Sequence, residues 1–213
     1  SGEILREYEE KYKSKIEVLH IPIATGNKSY AQERGVQHIK GDIFIATDGD
    51  TILHTNFVEL IEKDFKDPQV AAVGGYVRSL KHNWLTACRE LDYAIGQDLH
   101  KVAQAELGFL FVIPGCAGAF RTDVFKSQVR FEHDTVTEDL DFTFRLHRTG
   151  HKILYNRKAI SYTQDPTTVS AYINQMRRWS SGGWQNLVKH YQIAKRPRNA
   201  LELSLMFLDG LTF

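Results

Sequence analysis

The segment Ile43-Phe44-Ile45-Ala46-Thr47-Asp48-Gly49-Asp50-Thr51 sets an apolar run directly against two carboxylates. Its first four residues are apolar and rich in side chains that favour strands, which predicts a short buried strand. Ligands of open α/β sheets bind beyond the carboxyl ends of the strands. Two carboxylates at such an end can hold a hard divalent cation, which in turn clamps a diphosphate. Asp and Gly also favour ordinary turns, so this segment alone leaves both interpretations open.

Helix and strand patterns alternate on both sides of this segment. Period-3.6 apolar patterns predict helices, and short apolar or alternating runs predict strands. The predicted helices cover residues 1–15, 28–40, 55–66, 84–107, 137–149 and 167–190, and the predicted strands cover 15–23, 42–47, 70–77 and 153–162. Gly74 and Gly75 are expected to interrupt the third of these strands. The alternation predicts one α/β domain with a mostly parallel sheet and helices on both faces.

Composition excludes several classes of protein. The 213 residues contain 27 Lys and Arg against 26 Asp and Glu, a balance that argues against a nucleic-acid binder. Two cysteines, Cys88 and Cys116, exclude a disulfide-stapled scaffold and fit a reducing compartment. His147 and His151 are four residues apart, but Arg148 stands where a zinc protease requires Glu.

No membrane or export segment is evident in the sequence. Residues 1–15 are highly charged and lack the apolar run of a signal peptide. No segment reaches the roughly 18 apolar residues of a membrane span. Residues 200–213 come nearest, although Glu202 and Asp209 interrupt them.

A second acidic site, Thr137-Glu138-Asp139, opens a predicted helix. Thr137 can cap that helix, and acidic residues in the first turn suit the helix dipole, so a purely structural role accounts for the sequence. The functional interpretation is a carboxylate held at the edge of a pocket as general base for a substrate hydroxyl.

A third site lies on the last predicted helix, in Gln175-Met176-Arg177-Arg178-Trp179. The spacing i, i+3, i+4 places Gln175, Arg178 and Trp179 on one face. Arg suits a diphosphate and Trp suits the apolar face of a sugar ring, while a basic helix with a buried Trp is the structural alternative.

Together the three sites resemble the motifs of family 2 inverting glycosyltransferases, and most closely the processive membrane synthases of cellulose, chitin, hyaluronan and poly-N-acetylglucosamine. Gly26-Asn27-Lys28, followed by Ala31, is similar to the family's Gly-Lys-x-x-Ala loop. Residues 114–121 look like its Gly-rich acceptor segment. Phosphatases of the haloacid-dehalogenase type also place Asp-x-Asp after a strand, but the Thr they need four positions on is absent here.

The resemblance implies a role for each motif residue. Asp139 would be the general base with Glu138 nearby, Asp50 the direct metal ligand, and Asp48 would face both metal and nucleotide. The remaining implied contacts are Lys28, Asp48, Gln175 and Arg178 with the nucleotide sugar, and Gly115, Cys116, Glu138 and Trp179 with the acceptor.

The implied activity is inverting transfer from a nucleotide sugar, a UDP-linked hexose or N-acetylhexosamine, to the end of a growing polysaccharide, with Mg²⁺ or Mn²⁺. The implied fold is GT-A-like, without the family's N-terminal nucleotide-binding strand. We expect residues 1–199 to be a partial catalytic domain and residues 200–213 to begin an interfacial or transmembrane helix. Membrane attachment would come from segments outside this chain, at the cytoplasmic face of the plasma membrane.

Two alternatives stay open. A non-processive transferase would add one sugar to a lipid or protein, although Gln-x-x-Arg-Trp favours the processive form. A catalytically silent subunit would bind nucleotide sugar only, although the intact Asp50, Asp139 and Trp179 argue against it.

Overall fold

A computed structural model describes residues 2–22, 26 and 28–192 of the chain. The helices within these ranges are α1 (Gly2–Lys11), α2 (Lys28–His38), α3 (Phe57–Asp64), α4 (Trp84–Ile95), α5 (Val102–Glu106), α6 (Thr122–Val124), α7 (Glu138–Thr149) and α8 (Val169–Lys189). Two π-helical segments cover Gly96–Lys101 and Phe125–Val129. The strands are β1 (Ile43–Ala46), β2 (Ile52–Leu53), β3 (Val70–Ser79), β4 (Gly118–Arg121) and β5 (Lys152–Thr163).

The five strands form one mixed sheet in the order β1-β4-β3-β5-β2. β3 and β5 pair in parallel, whereas the β1·β4, β3·β4 and β2·β5 pairs are antiparallel. The predicted α/β fold is therefore confirmed, but the expectation of a mostly parallel sheet is corrected to a mixed one. The physical reason is that β4 lies between β1 and β3 and runs against both, a placement that apolar patterns along the sequence do not encode.

Helices cover both faces of the sheet, as predicted. Side chains alternate across a strand, so Ala72 and Val73 of β3 enter different cores. Ala72 packs in one core with Phe142 of α7. Val73 packs in the other core with Phe57 of α3.

A bulge interrupts the pairing of β3 with β5. The register shifts between Gly75 and Tyr76 of β3, opposite the step from Asn156 to Ile160. A Cβ on Gly75 would lie 2.7 Å from a ring carbon of Phe57, so the close packing at the bulge requires glycine. β3 nevertheless continues through both glycines, and the predicted interruption there is wrong.

A short connection joins the two edge strands of the sheet. β1 and β2 lie at opposite edges of the sheet, yet only residues 47–51 join them. A flat five-stranded sheet separates its edge strands by about 19 Å, close to the reach of such a connection when fully extended. The connection is instead folded, since the Thr51 amide donates to the Asp48 carbonyl at 3.1 Å. Asp48 and Asp50 thus lie in the short folded turn that joins the two edge strands of the sheet.

The strand predicted over residues 15–23 is wrong for residues 15–22, which pair with no strand; residue 23 lies outside the described residues. The Val18 amide, which would pair with a neighbouring strand, instead donates to Glu9 Oε1 at 2.8 Å. No helix in the described part of the chain is long and apolar enough to cross a bilayer. The segment 200–213 lies outside the described residues.

Candidate active site

Asp139 occupies the first turn of α7, where the protein largely encloses its carboxylate. Burial, followed by the charge of Glu138, raises the pKa of Asp139 from its ordinary value of 3.8 to about 6. The Leu140 amide donates to Asp139 Oδ1 at 2.9 Å, which fixes the carboxylate and leaves its second oxygen to face the site. A carboxylate in this state is still mostly ionised near pH 7 and is a stronger base than an ordinary aspartate.

Lys28 connects the first acidic motif with the second. It opens α2, and its ammonium forms an ion pair with Asp48. The same Nζ lies 3.5 Å from Glu138 Oε1. Burial lowers the pKa of Lys28, but the hydrogen bond and charge of Asp48 outweigh it and the pKa is raised overall. One cation thus bridges carboxylates that lie 90 residues apart in the chain.

The Gly-rich segment lies between these two groups. A Cβ on Gly115 would be 3.5 Å from Lys28 Nζ and 3.7 Å from Asp139 Oδ2. A larger side chain here would therefore fill the space that separates the cation from the candidate base. Cys116 borders the same space, and burial, followed by the Asp48 charge, raises the pKa of its thiol to about 11. Cys116 is therefore a neutral thiol and not a nucleophile.

Lys101 is a member of this cluster that the sequence did not reveal. It ends the π-helical segment Gly96–Lys101, and its ammonium donates to the Val112 carbonyl at 3.0 Å. Burial lowers the pKa of Lys101 to about 8, opposed by the charge of Asp139. A lysine in a helical pattern usually marks a solvated face. The extra residue of a π-turn rotates the side chains that follow it, and no pattern in the sequence signals that turn.

Asp50 is exposed at the turn that follows β1, and the Thr51 hydroxyl donates to Asp50 Oδ1 at 3.5 Å. Among the described residues, the structure brings Asp48, but not Asp50, into contact with Lys28. The two carboxylates Asp48 and Asp50 still fit a divalent cation, because their oxygens are hard ligands and Asp48 already binds the Lys28 ammonium.

Gln175, Arg178 and Trp179 lie on α8, as predicted. Gln175 Oε1 is buried and has no hydrogen-bond partner among the described residues. Arg178 is exposed, and no ion pair links it to the Asp139 cluster in the part of the chain that the structure describes. Trp179 is 38% exposed.

A buried contact joins α8 to the residue before Glu138. Asn186 Nδ2 donates to the carbonyl and hydroxyl oxygens of Thr137 at 3.2 and 3.0 Å, and Asn186 is fully buried. Gly182 packs directly on Thr137, where an added Cβ would overlap the hydroxyl. The helix that carries the third motif and the helix that begins with the second motif are therefore held together at one point.

A separate acidic group is formed by Glu132, Asp134 and Asp141, whose oxygens are close enough to hold a metal ion. Lys189 Nζ already lies 2.5, 2.6 and 2.8 Å from these three carboxylates. The group therefore serves to pair α8 with α7 through an ammonium, and the Asp48 region is the better candidate for a metal.

Known proteins resemble this chain in sequence. A poly-beta-1,6-N-acetyl-D-glucosamine synthase from Staphylococcus epidermidis is 24% identical over 209 residues, which cover 97% of this chain and 50% of the relative. An N-acetylglucosaminyltransferase from Azorhizobium caulinodans is 23% identical and covers 79% of this chain and 45% of the relative. The chain thus spans about half the length of the curated relatives it matches.

Solved structures resemble it in fold. The mannosyltransferase PcManGT from Pyrobaculum calidifontis, in complex with GDP-Man and Mn²⁺, superposes with a TM-score of 0.72 at 15% identity, over 96% of this chain and 56% of that one. S. aureus TarS 1–349, in complex with UDP-GlcNAc, gives a TM-score of 0.58 at 12% identity, over 78% and 48%. These likenesses establish a GT-A glycosyltransferase fold. The family described as "Glycosyltransferase like family 2" matches residues 2–182, and the chain therefore belongs to that family.

Proposed function

We propose that the chain is the catalytic part of an inverting glycosyltransferase that extends a polysaccharide, with a UDP-linked N-acetylhexosamine as the first donor to test. The observation that carries the proposal is the convergence of Asp48, Lys28, Gly115 and Asp139 on one place from four separate stretches of sequence. The names of the sequence relatives support the class of donor and product.

Asp139 would accept the proton of the acceptor hydroxyl as that oxygen attacks the anomeric carbon of the donor. Its pKa of about 6 fits that task, because the base is ionised near neutral pH and still has appreciable proton affinity. Attack on the face opposite the leaving group inverts the anomeric centre without a covalent sugar–enzyme intermediate. The charge of Glu138 would raise the pKa of this base, and the charge of Lys101 would lower it.

The leaving nucleoside diphosphate needs positive charge. Lys28, Gln175 and Arg178 are the groups of this chain that would bind it. Asp48 and Asp50 would hold Mg²⁺ or Mn²⁺, which when bound would neutralise charge that develops on the diphosphate. Since Lys28 pairs with Asp48 in the structure, Lys28 would turn from this carboxylate to the phosphate when donor and metal bind.

Trp179, Gly115 and Cys116 would receive the acceptor, with Glu138 beside them. The Trp179 indole, 38% exposed on α8, would offer a stacking platform for a sugar at the end of a polymer, which favours processive synthesis over single transfer. Residues 1–199 would be the catalytic unit and residues 200–213 the start of an interfacial or transmembrane helix. The synthase would act at the cytoplasmic face of the plasma membrane, with membrane contacts supplied by segments outside this chain.

The test follows nucleoside diphosphate release by the full-length protein from a panel of UDP- and GDP-sugars, with Mn²⁺ or with EDTA. We expect metal-dependent release from one donor, and polymeric product when acceptor is present. Asp139→Asn should abolish release, while the control Asp42→Asn, at an exposed aspartate outside the site, should leave it unchanged.

Other outcomes separate the alternatives. Release with a single sugar added per acceptor would identify a non-processive transferase. No release from any donor by folded protein would refute catalysis and favour a silent nucleotide-sugar-binding subunit. Full activity of Asp139→Asn would refute the assignment of the base.

A further inference from the structure

Arg89 of α4 is an almost fully buried cation surrounded by aromatic rings. The residue is 5% exposed. Its guanidinium carbon lies 4.7 Å from the ring centroid of Tyr93, 5.4 Å from that of Tyr172 and 5.2 Å from that of Trp179. Tyr172 and Trp179 are seven residues apart on α8 and therefore share the face that is turned to α4. The cation thus lies at the contact between these two helices.

Acidic groups hold Arg89 in this position. Asp92 Oδ2 lies 3.2 Å from Arg89 Nη1, and Asp165 Oδ1 lies 3.7 Å from Arg89 Nε. The Tyr93 hydroxyl donates to the same Asp165 oxygen at 2.9 Å. Asp165 belongs to the connection between β5 and α8, so the guanidinium is fixed from α4, from this connection and from α8 together.

The Arg89 guanidinium contacts the Trp179 indole. A guanidinium is planar and weakly hydrated, and it stacks on aromatic rings in a way that an ammonium does not. Trp179 is 38% exposed although Arg89 packs against it, so part of the residue is still open to solvent. An indole on α8 alone could rotate about its side-chain bonds, and the buried cation restricts that rotation.

We infer that Arg89 is a positioning residue that fixes the Trp179 ring and thereby sets the affinity of the enzyme for its glycan acceptor. This inference rests on the proposed function, in which Trp179 stacks with the acceptor. Arg89 itself touches neither donor nor reacting atoms. Loss of Arg89 therefore weakens acceptor binding and leaves the chemical step and donor binding unchanged.

The kinetic test uses the full-length protein with UDP-N-acetylglucosamine as donor and N-acetylglucosamine oligomers as acceptor. Arg89→Met raises the acceptor KM by about tenfold, with kcat and donor KM within about twofold of wild type. Arg89→Lys, which keeps the charge but loses the planar stack, also raises the acceptor KM. The control Arg157→Met, which removes an exposed arginine paired with Asp98, leaves all three constants unchanged.

A double-mutant cycle separates positioning of Trp179 from general damage. In a Trp179→Ala background, Arg89→Met adds no further increase in acceptor KM. An equal increase in both backgrounds, an unchanged acceptor KM in Arg89→Met, or a loss confined to kcat would each overturn the inference. If Arg89→Met does not fold, Arg89→Lys in the same cycle gives the same decision.

A spectroscopic measurement makes the inference independent of activity. In protein labelled with 5-fluorotryptophan, the ¹⁹F resonance that disappears in Trp179→Phe belongs to residue 179. Arg89→Lys shifts or broadens that resonance, and Arg157→Met does not. An unmoved resonance would overturn the inference. Absence of transfer by wild type would refute the proposed function with this donor, and the ¹⁹F result would then decide about Arg89.

Discussion

Asp139→Asn should make the protein more stable while it removes activity. Burial and Glu138 raise the pKa of Asp139 from 3.8 to about 6, so the folded protein binds this proton more tightly than the unfolded chain does. Stability is therefore highest below pH 4 with respect to this group and falls as the pH rises to about 6. At 1.36 kcal/mol for each pKa unit, the loss at neutral pH is about 3 kcal/mol, and about 2 kcal/mol when partial solvent access to the carboxylate is allowed for. Asparagine does not ionise and escapes this loss.

Asp141, two residues further along α7, supplies a matched control of opposite sign. His190 and Lys189 donate hydrogen bonds to its carboxylate and, with Arg145, outweigh burial and lower the pKa of Asp141 to about 2. This contribution to stability is present above pH 4 and is lost as the pH falls towards 2. Asp141→Asn should therefore destabilise the protein at neutral pH by about 1 to 2 kcal/mol.

Urea unfolding of both variants at pH 7.5 and pH 5 measures these effects, in parallel with nucleoside diphosphate release. The gain from Asp139→Asn should shrink at pH 5, where wild-type Asp139 is mostly protonated. If Asp139→Asn is less stable than wild type at pH 7.5, with an unchanged denaturant slope, burial of the Asp139 carboxylate does not destabilise the protein. The reasoning from desolvation would then be refuted.

Two further variants test the frame of the site. Gly182→Ala should destabilise the protein by about 1–3 kcal/mol in thermal unfolding, because the new methyl group overlaps Thr137. The control Gly35→Ala, whose methyl group meets nothing within 4 Å, should be neutral or stabilising. Equal effects of the two substitutions would show that α8 is not packed on Thr137. Lys101→Met should move the acidic limb of the pH–rate profile above pH 6, since the Lys101 charge lowers the pKa of Asp139; an unmoved limb would show that the two groups do not interact.

The motif residues of the candidate site could be placed from the sequence because their positions depend on local rules. Asp48 follows a strand and Asp139 opens a helix, so secondary structure alone puts each at the end of an element. Their meeting across the fold was implied only by resemblance, since no local pattern tells which strands become neighbours. The reversed strand β4 shows the same limit, because its apolar residues suit either direction.

Lys101 and Arg89 were not predictable for another reason. Each is a basic residue in an amphipathic helical pattern, where the usual environment is water. Their burial depends on partners that are distant in sequence, the Val112 carbonyl and Tyr155 for Lys101 and α8 for Arg89. The strand prediction failed similarly over the described residues 15–22, since Glu9 accepts from the Val18 amide in place of a neighbouring strand.

The strand order has a consequence for how the chain is made on the ribosome. Among the described strands, β1 pairs with β4 alone and β2 with β5 alone, and each of these partners is synthesised well after the strand it pairs with. Both strands leave the exit tunnel long before their partners and expose unpaired edges during that interval. Synthesis of the nascent chain therefore leaves Asp48 on an unsupported turn until β5 has emerged. Pauses in translation before residue 163 would prolong exposure of these edges and favour aggregation or chaperone binding.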